Sequence, residues 1–247
     1  MSSISAVLIV LNEEEKIGPC LESLSWADEI VVVDGGSKDR TVEIASRHAK
    51  VYQRNFDSFS NQKNYGIEKA KGEWIFSIDA DEKVTPELQN SLKAASREKT
   101  GFDGYHVKRT TFIFGKRFRF GGLGSEKILR FFRKGKGKFE QPVHEKVVVH
   151  GRVGELSGEL LHHGSSTVGD YLKKLSLYTT LESQWMAEQK MRAGAADLYL
   201  KPLVRFLYSY VFRLGFLDGY EGFLFHTLSA WNYFLKYARL GELQKCL

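Results

Sequence analysis

The chain has 247 residues, 43% hydrophobic and 27% charged. Those are the proportions of a globular protein large enough for one α/β domain with or without an appendage, and they exclude general disorder. A net charge of +6 and a pI near 9.1 favour anionic partners such as nucleotides, phosphorylated sugars, acidic lipid or nucleic acid, while Cys20 and Cys246 lack any metal-ligand spacing and read as two reduced thiols.

Met1-Ser2-Ser3 leads directly into residues 4–11 (ISAVLIVL), so no signal peptide is expected. The run itself reads as a parallel strand covered on both faces. Asn12, Glu13, Glu14 and Glu15 follow, and Gly18-Pro19 can open a helix through Leu21 and Leu24. Residues 29–34 (EIVVVD) form a second buried strand that ends in the tight turn Asp34-Gly35-Gly36-Ser37-Lys38-Asp39, with Asp39 placed to cap a helix over 41–48. A short strand near Val51 and Tyr52 precedes a helix over 59–70 carrying Gln62, Lys63 and Asn64. Another buried strand, 74–78, runs straight into Asp79-Ala80-Asp81-Glu82, and Thr85-Pro86 caps a helix to about Arg97.

Carboxylates beside a core strand are costly unless a cation or hydrogen bonds compensate. Alternation puts Asp79 and Asp81 on one side of an extended chain, where their oxygens suit a hard divalent ion, Mg²⁺ or Mn²⁺, carrying a diphosphate. Solvated loops and helix caps also supply such triplets. The strand–helix alternation predicts a parallel, doubly wound sheet over the first hundred residues, with ligands bound beyond the strand C-termini. Asn12, Glu13, Asp34 and Asp79 to Asp81 all fall at such termini.

From 104 to 162 the pattern changes to short β-like pieces at 105–111, 127–132, 146–149 and 155–161. Between 104 and 138 eleven Lys and Arg face a single Glu, with Phe interleaved. That composition fits a solvated face or a basic groove for a phosphorylated acceptor; no nucleic-acid-binding motif accompanies it. Beyond Ser165 the chain turns helical, with Val168, Tyr171, Leu175 and Tyr178 on a helical period. After Gly194, residues 198–217 are strongly apolar yet hold Lys201, Pro202, Arg205 and Arg213, which argues against a spanning helix, and 222–235 is too short to span. Aromatics with Arg and Lys among them fit a membrane-interface surface; core packing and a homodimer interface are the alternatives.

In order, the strand followed by Asn12-Glu13-Glu14, V-V-D-G-G-S-K-D-R-T at 32–41, Gln62-Lys63-Asn64 and I-D-A-D-E at 78–82 resemble the family 2 inverting glycosyltransferases of GT-A fold. Val143-His144-Glu145, Leu161-His162, the helix with Lys174 and Tyr178, and GFLDGYEG at 215–222 extend the resemblance, over nearly the whole chain, to the lipopolysaccharide-core β-glycosyltransferases. The fold so implied is α/β: a Rossmann-like, doubly wound, mostly parallel sheet with a mixed acceptor-side region and a C-terminal helical appendage. The catalytic domain would cover 1–165, with a nucleotide-sugar half at 1–100 and an acceptor half at 101–165, and the helical region 166–247.

The resemblance further implies a UDP-sugar donor, Mn²⁺ or Mg²⁺, and transfer with inversion. Asp34 matches the acid that reads uracil, and Asn12 and Glu13 line the same pocket. Lys63 stands where the family often has Arg. Asp79 matches the acid near ribose and donor sugar, Asp81 the metal ligand, and Glu82 a supporting acid. Arg130, Lys173 and Lys174 are candidate anchors for diphosphate or acceptor phosphates. Inversion needs one general base for the acceptor hydroxyl; Glu145 is the expected base and Glu126 its competitor. His162, with His163 as alternative, would complete the metal shell, and His144 would hydrogen-bond behind it. The implied enzyme moves a hexose, glucose by first guess, to a lipopolysaccharide-core or lipid-linked saccharide, in the cytoplasm at the inner face of the membrane. Transfer to a polyprenyl phosphate or capsule glycan, and non-catalytic binding of a sugar nucleotide, remain open. A nucleotidyltransferase is disfavoured, because no Gly-rich basic loop follows the first strand.

Overall fold

The computed structural model of the protein describes residues 2–98, 101–124, 126–141 and 146–245. They fall into two compact units, one of 1–109 with 127–162 and one of 110–126 with 163–247.

The first unit begins with four parallel strands in the order β3-β2-β1-β4: β1 (Ile4–Val10), β2 (Glu29–Asp34), β3 (Lys50–Gln53) and β4 (Trp74–Ser77). Between them lie α1 (Ile17–Glu22), α2 (Thr41–Ala45) and α3 (Phe59–Lys69). Alternation sends Ala6, Leu8 and Val10 to one face of the sheet with Ile17, Leu21 and Leu24, and Val7 to the other with Val31, Ile75 and Ile67. Apolar residues are needed on both faces, hence the unbroken apolar runs. Ser58 caps α3 by accepting the Asn61 N–H. Asp39 accepts both the N–H and the hydroxyl of Thr41, but α2 stops at Ala45, short of the expected 48, and turns lead into β3.

After β4 come β5 (Glu82–Val84) and α4 (Pro86–Arg97), the latter capped by Thr85 with Pro at its first position. Then follow β6 (Gly104–Ile113), β7 (Lys116–Arg117), β8 (Glu126–Arg133), β9 (Gly137–Glu140), β10 (Lys146–Val149) and β11 (Val153–His163). The sheet continues from β4 as β8-β6-β11-β5, with β8 antiparallel to β4 and β11 antiparallel to β5. Trp74 stacks on Phe131 across the β4–β8 seam with ring centroids 4.6 Å apart. β9 and β10 form a separate hairpin.

The second unit is mainly helical. α5 (Val168–Glu188) and α6 (Ala195–Phe206) are followed by a π-helical turn at Leu207–Phe212, a 3-10 turn at Gly215–Asp218, and α7 (Gly219–Lys245). Met186, Tyr237 and Leu240 form the core between α5 and α7. The Asp218 carboxylate accepts the N–H groups of Arg119 and Phe120, and so holds the 116–124 loop to the chain entering α7. No helix among the described residues is long and apolar enough to cross a membrane.

Candidate active site

Parallel pairing brings the C-terminal tips of β2, β1 and β4 to one edge: Asp34 lies beside Val10, and Ser77 beside Val7. Beyond β4 the chain does not stay extended. Asp79 O accepts the Glu82 N–H at 3.0 Å, and the Glu82 carboxylate accepts the Asp79 N–H at 3.0 Å, closing a turn latched twice. Ile78 N–H still donates to Val7 O at 3.1 Å, anchoring the turn to the sheet. Strand alternation therefore does not position the two aspartates. The turn does, and it aims them at different partners.

Asp79 meets two cations, Lys63 Nζ at 2.9 Å and Arg130 Nη2 at 2.5 Å. Lys63 arrives from α3, where three consecutive polar side chains reach inward to different neighbours. Gln62 donates to Arg54 O at 2.8 Å, Lys63 pairs with Asp79, and Asn64 exchanges two hydrogen bonds with the Phe139 backbone. Arg130 arrives from β8, whose register sets Phe131 opposite Phe76 and so carries the preceding residue to the end of β4. Its guanidinium also lies 3.4 Å from the fully buried Glu82 carboxylate, and Arg109 Nη1 stands 3.8 Å from the same oxygen.

These surroundings drive the two acids apart. Burial would lift the Asp79 carboxyl, but Arg130 and Lys63 overturn that and hold it well below the usual carboxylate range. Burial pushes Glu82 up, and the neighbouring Asp79 charge adds to the shift against the opposing pull of Arg130. Asp79 thus stays anionic between its cations, while Glu82 works as a buried brace.

Asp81 faces the other way. The β5–β11 register sets His162 opposite Glu82, and His162 Nε2 lies 3.6 Å from Asp81 Oδ2. That separation exceeds a hydrogen bond, and one carboxylate oxygen with one imidazole nitrogen is a donor set suited to Mn²⁺ or Mg²⁺. No group of three or more His, Cys, Asp or Glu that could hold a metal occurs among the described residues. A two-residue set still fits an ion whose other positions are taken by diphosphate oxygens and water, as Mg²⁺ sites commonly are. His163, the alternative, belongs to the second unit and stacks on Phe112 at 5.0 Å, as expected for neighbouring residues of a strand facing opposite ways.

At the tips of β1 and β2, Asp34 is buried and accepts the Gly36 and Ser37 N–H groups at 3.1 Å. Asn12, in left-handed conformation at φ 54°, receives the Lys38 N–H on its side chain at 2.8 Å, and the Glu13 N–H donates to Thr41 Oγ1 at 2.8 Å. These bonds clasp the two loops together. Gly36, at φ 100°, has nothing within 4 Å of where a Cβ would stand. The expected base, Glu145, lies outside the described residues together with His144 and Val143. Its competitor Glu126 opens β8 and clusters with the second unit, as do Lys173 and Lys174 on α5. The sequence reading gave Glu82 only a supporting part and did not name Arg109; a Glu directly after the aspartates and an Arg inside a strand were the available signals.

A parallel nucleotide-binding half extended by antiparallel strands, with an acidic turn at the β4 tip, is the arrangement of a GT-A glycosyltransferase. Residues 5–151 match the family described as glycosyl transferase family 2, and the chain belongs to that family. The lipopolysaccharide core biosynthesis glycosyltransferase LpsC of Rhizobium meliloti is 32% identical, covering 97% of this chain and 92% of its own length. An uncharacterized glycosyltransferase of Rickettsia typhi, RT0209, is 27% identical over 98% of this chain and 88% of its own. Among solved structures, S. aureus TarS 1–349 in complex with UDP-GlcNAc shares the fold at a TM-score of 0.52 and 16% identity, covering 99% of this chain and 92% of that one.

Proposed function

We propose that this glycosyltransferase moves a hexose, glucose as first candidate, from a UDP-sugar to a lipopolysaccharide-core or lipid-linked saccharide with inversion, at the inner face of the cytoplasmic membrane. The observation that carries the reading is the doubly latched 79–82 turn, which aims Asp79 at Lys63 and Arg130 and Asp81 at His162. The name of the LpsC relative supports the acceptor class, and the UDP-GlcNAc complex of TarS supports a UDP-sugar on this fold.

Mn²⁺ or Mg²⁺ held by Asp81 and His162 would neutralise charge on the departing diphosphate. The residues of the chain do the rest. Asp34, Asn12 and Glu13 hold the uracil side of the nucleotide on the clasped loops. Lys63 and Arg130, already fixed beside Asp79, supply further positive charge without reorganisation. Asp79 stays ionised to accept hydroxyls of the ribose or donor sugar. Glu145 takes the proton of the acceptor hydroxyl during a single in-line displacement.

A panel of UDP-sugars incubated with Mn²⁺ or Mg²⁺ and core oligosaccharide, read by UDP release, tests the reading. UDP-glucose is expected to be turned over, with activity lost on chelation. No release from any UDP-sugar with either ion, or full activity in Asp81→Ala, refutes it.

A further inference from the structure

α6 is built with its polarity reversed. No residue of the helix is buried, yet Lys201 and Arg205 turn toward α7, donating to Tyr237 OH at 2.8 Å and to Ser229 Oγ at 3.4 Å. The outward side is apolar: Tyr199, Leu203, Leu207 and Val211 are all exposed, and so is the large hydrophobic residue that follows each. Phe212, at 75% exposed, and Tyr220, at 72%, in the first turn of α7, add two more solvent-facing aromatic rings. A spacing of four residues overruns the ~3.6 of an α-helical turn, so the stripe would wind away around a uniform helix. The π-helical turn at Leu207–Phe212, with its wider i→i+5 winding, suits the last four-residue step of this spacing better than an α-helical turn would.

Charge selects the occupant of this face. The unit that carries it holds thirteen Lys and Arg against eight Asp and Glu, five of the six net positive charges of the chain. Two copies meeting through it would bring like charges together, whereas an anionic lipid surface complements both the charge and the aromatic, aliphatic side chains. With no spanning helix among the described residues, attachment there would be lateral.

We propose that the stripe from Tyr199 to Tyr220 lies flat in the headgroup layer of an anionic bilayer, as the element that holds the enzyme to the membrane. The proposal rests on, and localises, the membrane-peripheral reading given above. Flotation of the full chain with vesicles of phosphatidylcholine alone, or with phosphatidylglycerol added, tests it. Binding is expected to rise at least tenfold with the anionic lipid and to weaken with salt. Leu203→Ser/Phe212→Ser, both at exposed positions, should cut binding at least tenfold while leaving the unfolding midpoint and UDP release with a soluble core oligosaccharide unchanged. Undiminished vesicle binding by the double variant overturns the proposal. So does a wild-type dimer in light scattering that the variant converts to monomer with neither form binding vesicles. A wild-type chain that binds vesicles but releases no UDP would instead strike the transferase reading and leave the surface assignment standing.

Discussion

Replacing Arg130 with methionine removes the cation shared by Asp79 and Glu82 while keeping a side chain of similar reach. Removing one partner of a buried pair costs about 3–5 kcal/mol. Asp79 retains Lys63 at 2.9 Å, which puts the expected loss near the low end, about 3 kcal/mol. At roughly 2–4 °C per kcal/mol for a chain of this size, the midpoint should fall by about 6–12 °C. The deficit should also depend on pH. Burial already raises the Glu82 carboxyl, and losing Arg130 raises it further, so the folded state holds a proton that the unfolded state releases. Stability therefore falls as pH rises above the ordinary carboxylate range, and the deficit of the variant should be larger at pH 8 than at pH 5. Adding Glu82→Gln deletes the acid left without its cation and should return at least about 1 kcal/mol at pH 8. Thermal and urea unfolding of the wild type, both single variants and the double variant at the two pH values measure the midpoint and the free energies. A double variant no more stable than Arg130→Met, or a deficit equal at both pH values, refutes the assignment of Glu82 as the acid braced by Arg130.

The remaining predictions concern the proposed metal ligands, the helix cation, the core and one buried imidazole. Asp81→Asn and His162→Ala should each lower UDP release at least tenfold and raise the ion concentration required for half activity, with little change in unfolding midpoint. Lys63→Met, at a position 3% exposed, should weaken both donor turnover and stability, the latter by about 3 kcal/mol, measured by UDP release and urea unfolding. Trp74→Ala should cost about 3–5 kcal/mol, because it empties the stack on Phe131. Burial, reinforced by Arg205 against Asp218, pushes the fully buried His226 imidazole down to about 4 from 6.5. The unfolded chain binds that proton first, so about 3 kcal/mol should be lost as pH falls from 6.5 to 4, and His226→Leu should flatten this slope in unfolding experiments.

The parallel half of the sheet was legible because strands buried on both faces leave long apolar runs, as at residues 4–11, and because Thr85 caps its helix by local chemistry; the cap that Ser58 supplies to α3 was not read. The antiparallel half was less so. β5, β7 and β9 have three, two and four residues, too few for a period to show. Arg130 could be named as an anchor, yet its meeting with Asp79 depends on pairing between strands some fifty positions apart, which composition does not encode. Register likewise sends His162 toward Asp81 and His163 onto Phe112, a difference that two adjacent histidines do not show in sequence. Gln62-Lys63-Asn64 was legible as a polar run on a helix, but the inward reach of the three side chains was not, since a solvated face is wide enough to hold such a run. The apolar character of 198–217 was plain, but the inward turn of Lys201 and Arg205 was not, since it follows from where α7 packs.

The double latch between Asp79 and Glu82 also sets a rule of length. Each bond spans the same three steps of backbone, one from main chain to main chain and one from main chain to side chain. An added or deleted residue between Asp79 and Glu82 would break both at once and swing Asp79 off its cations. Homologous chains that keep the chemistry should therefore align through this stretch without a gap, and confine their length variation to loops elsewhere in the fold.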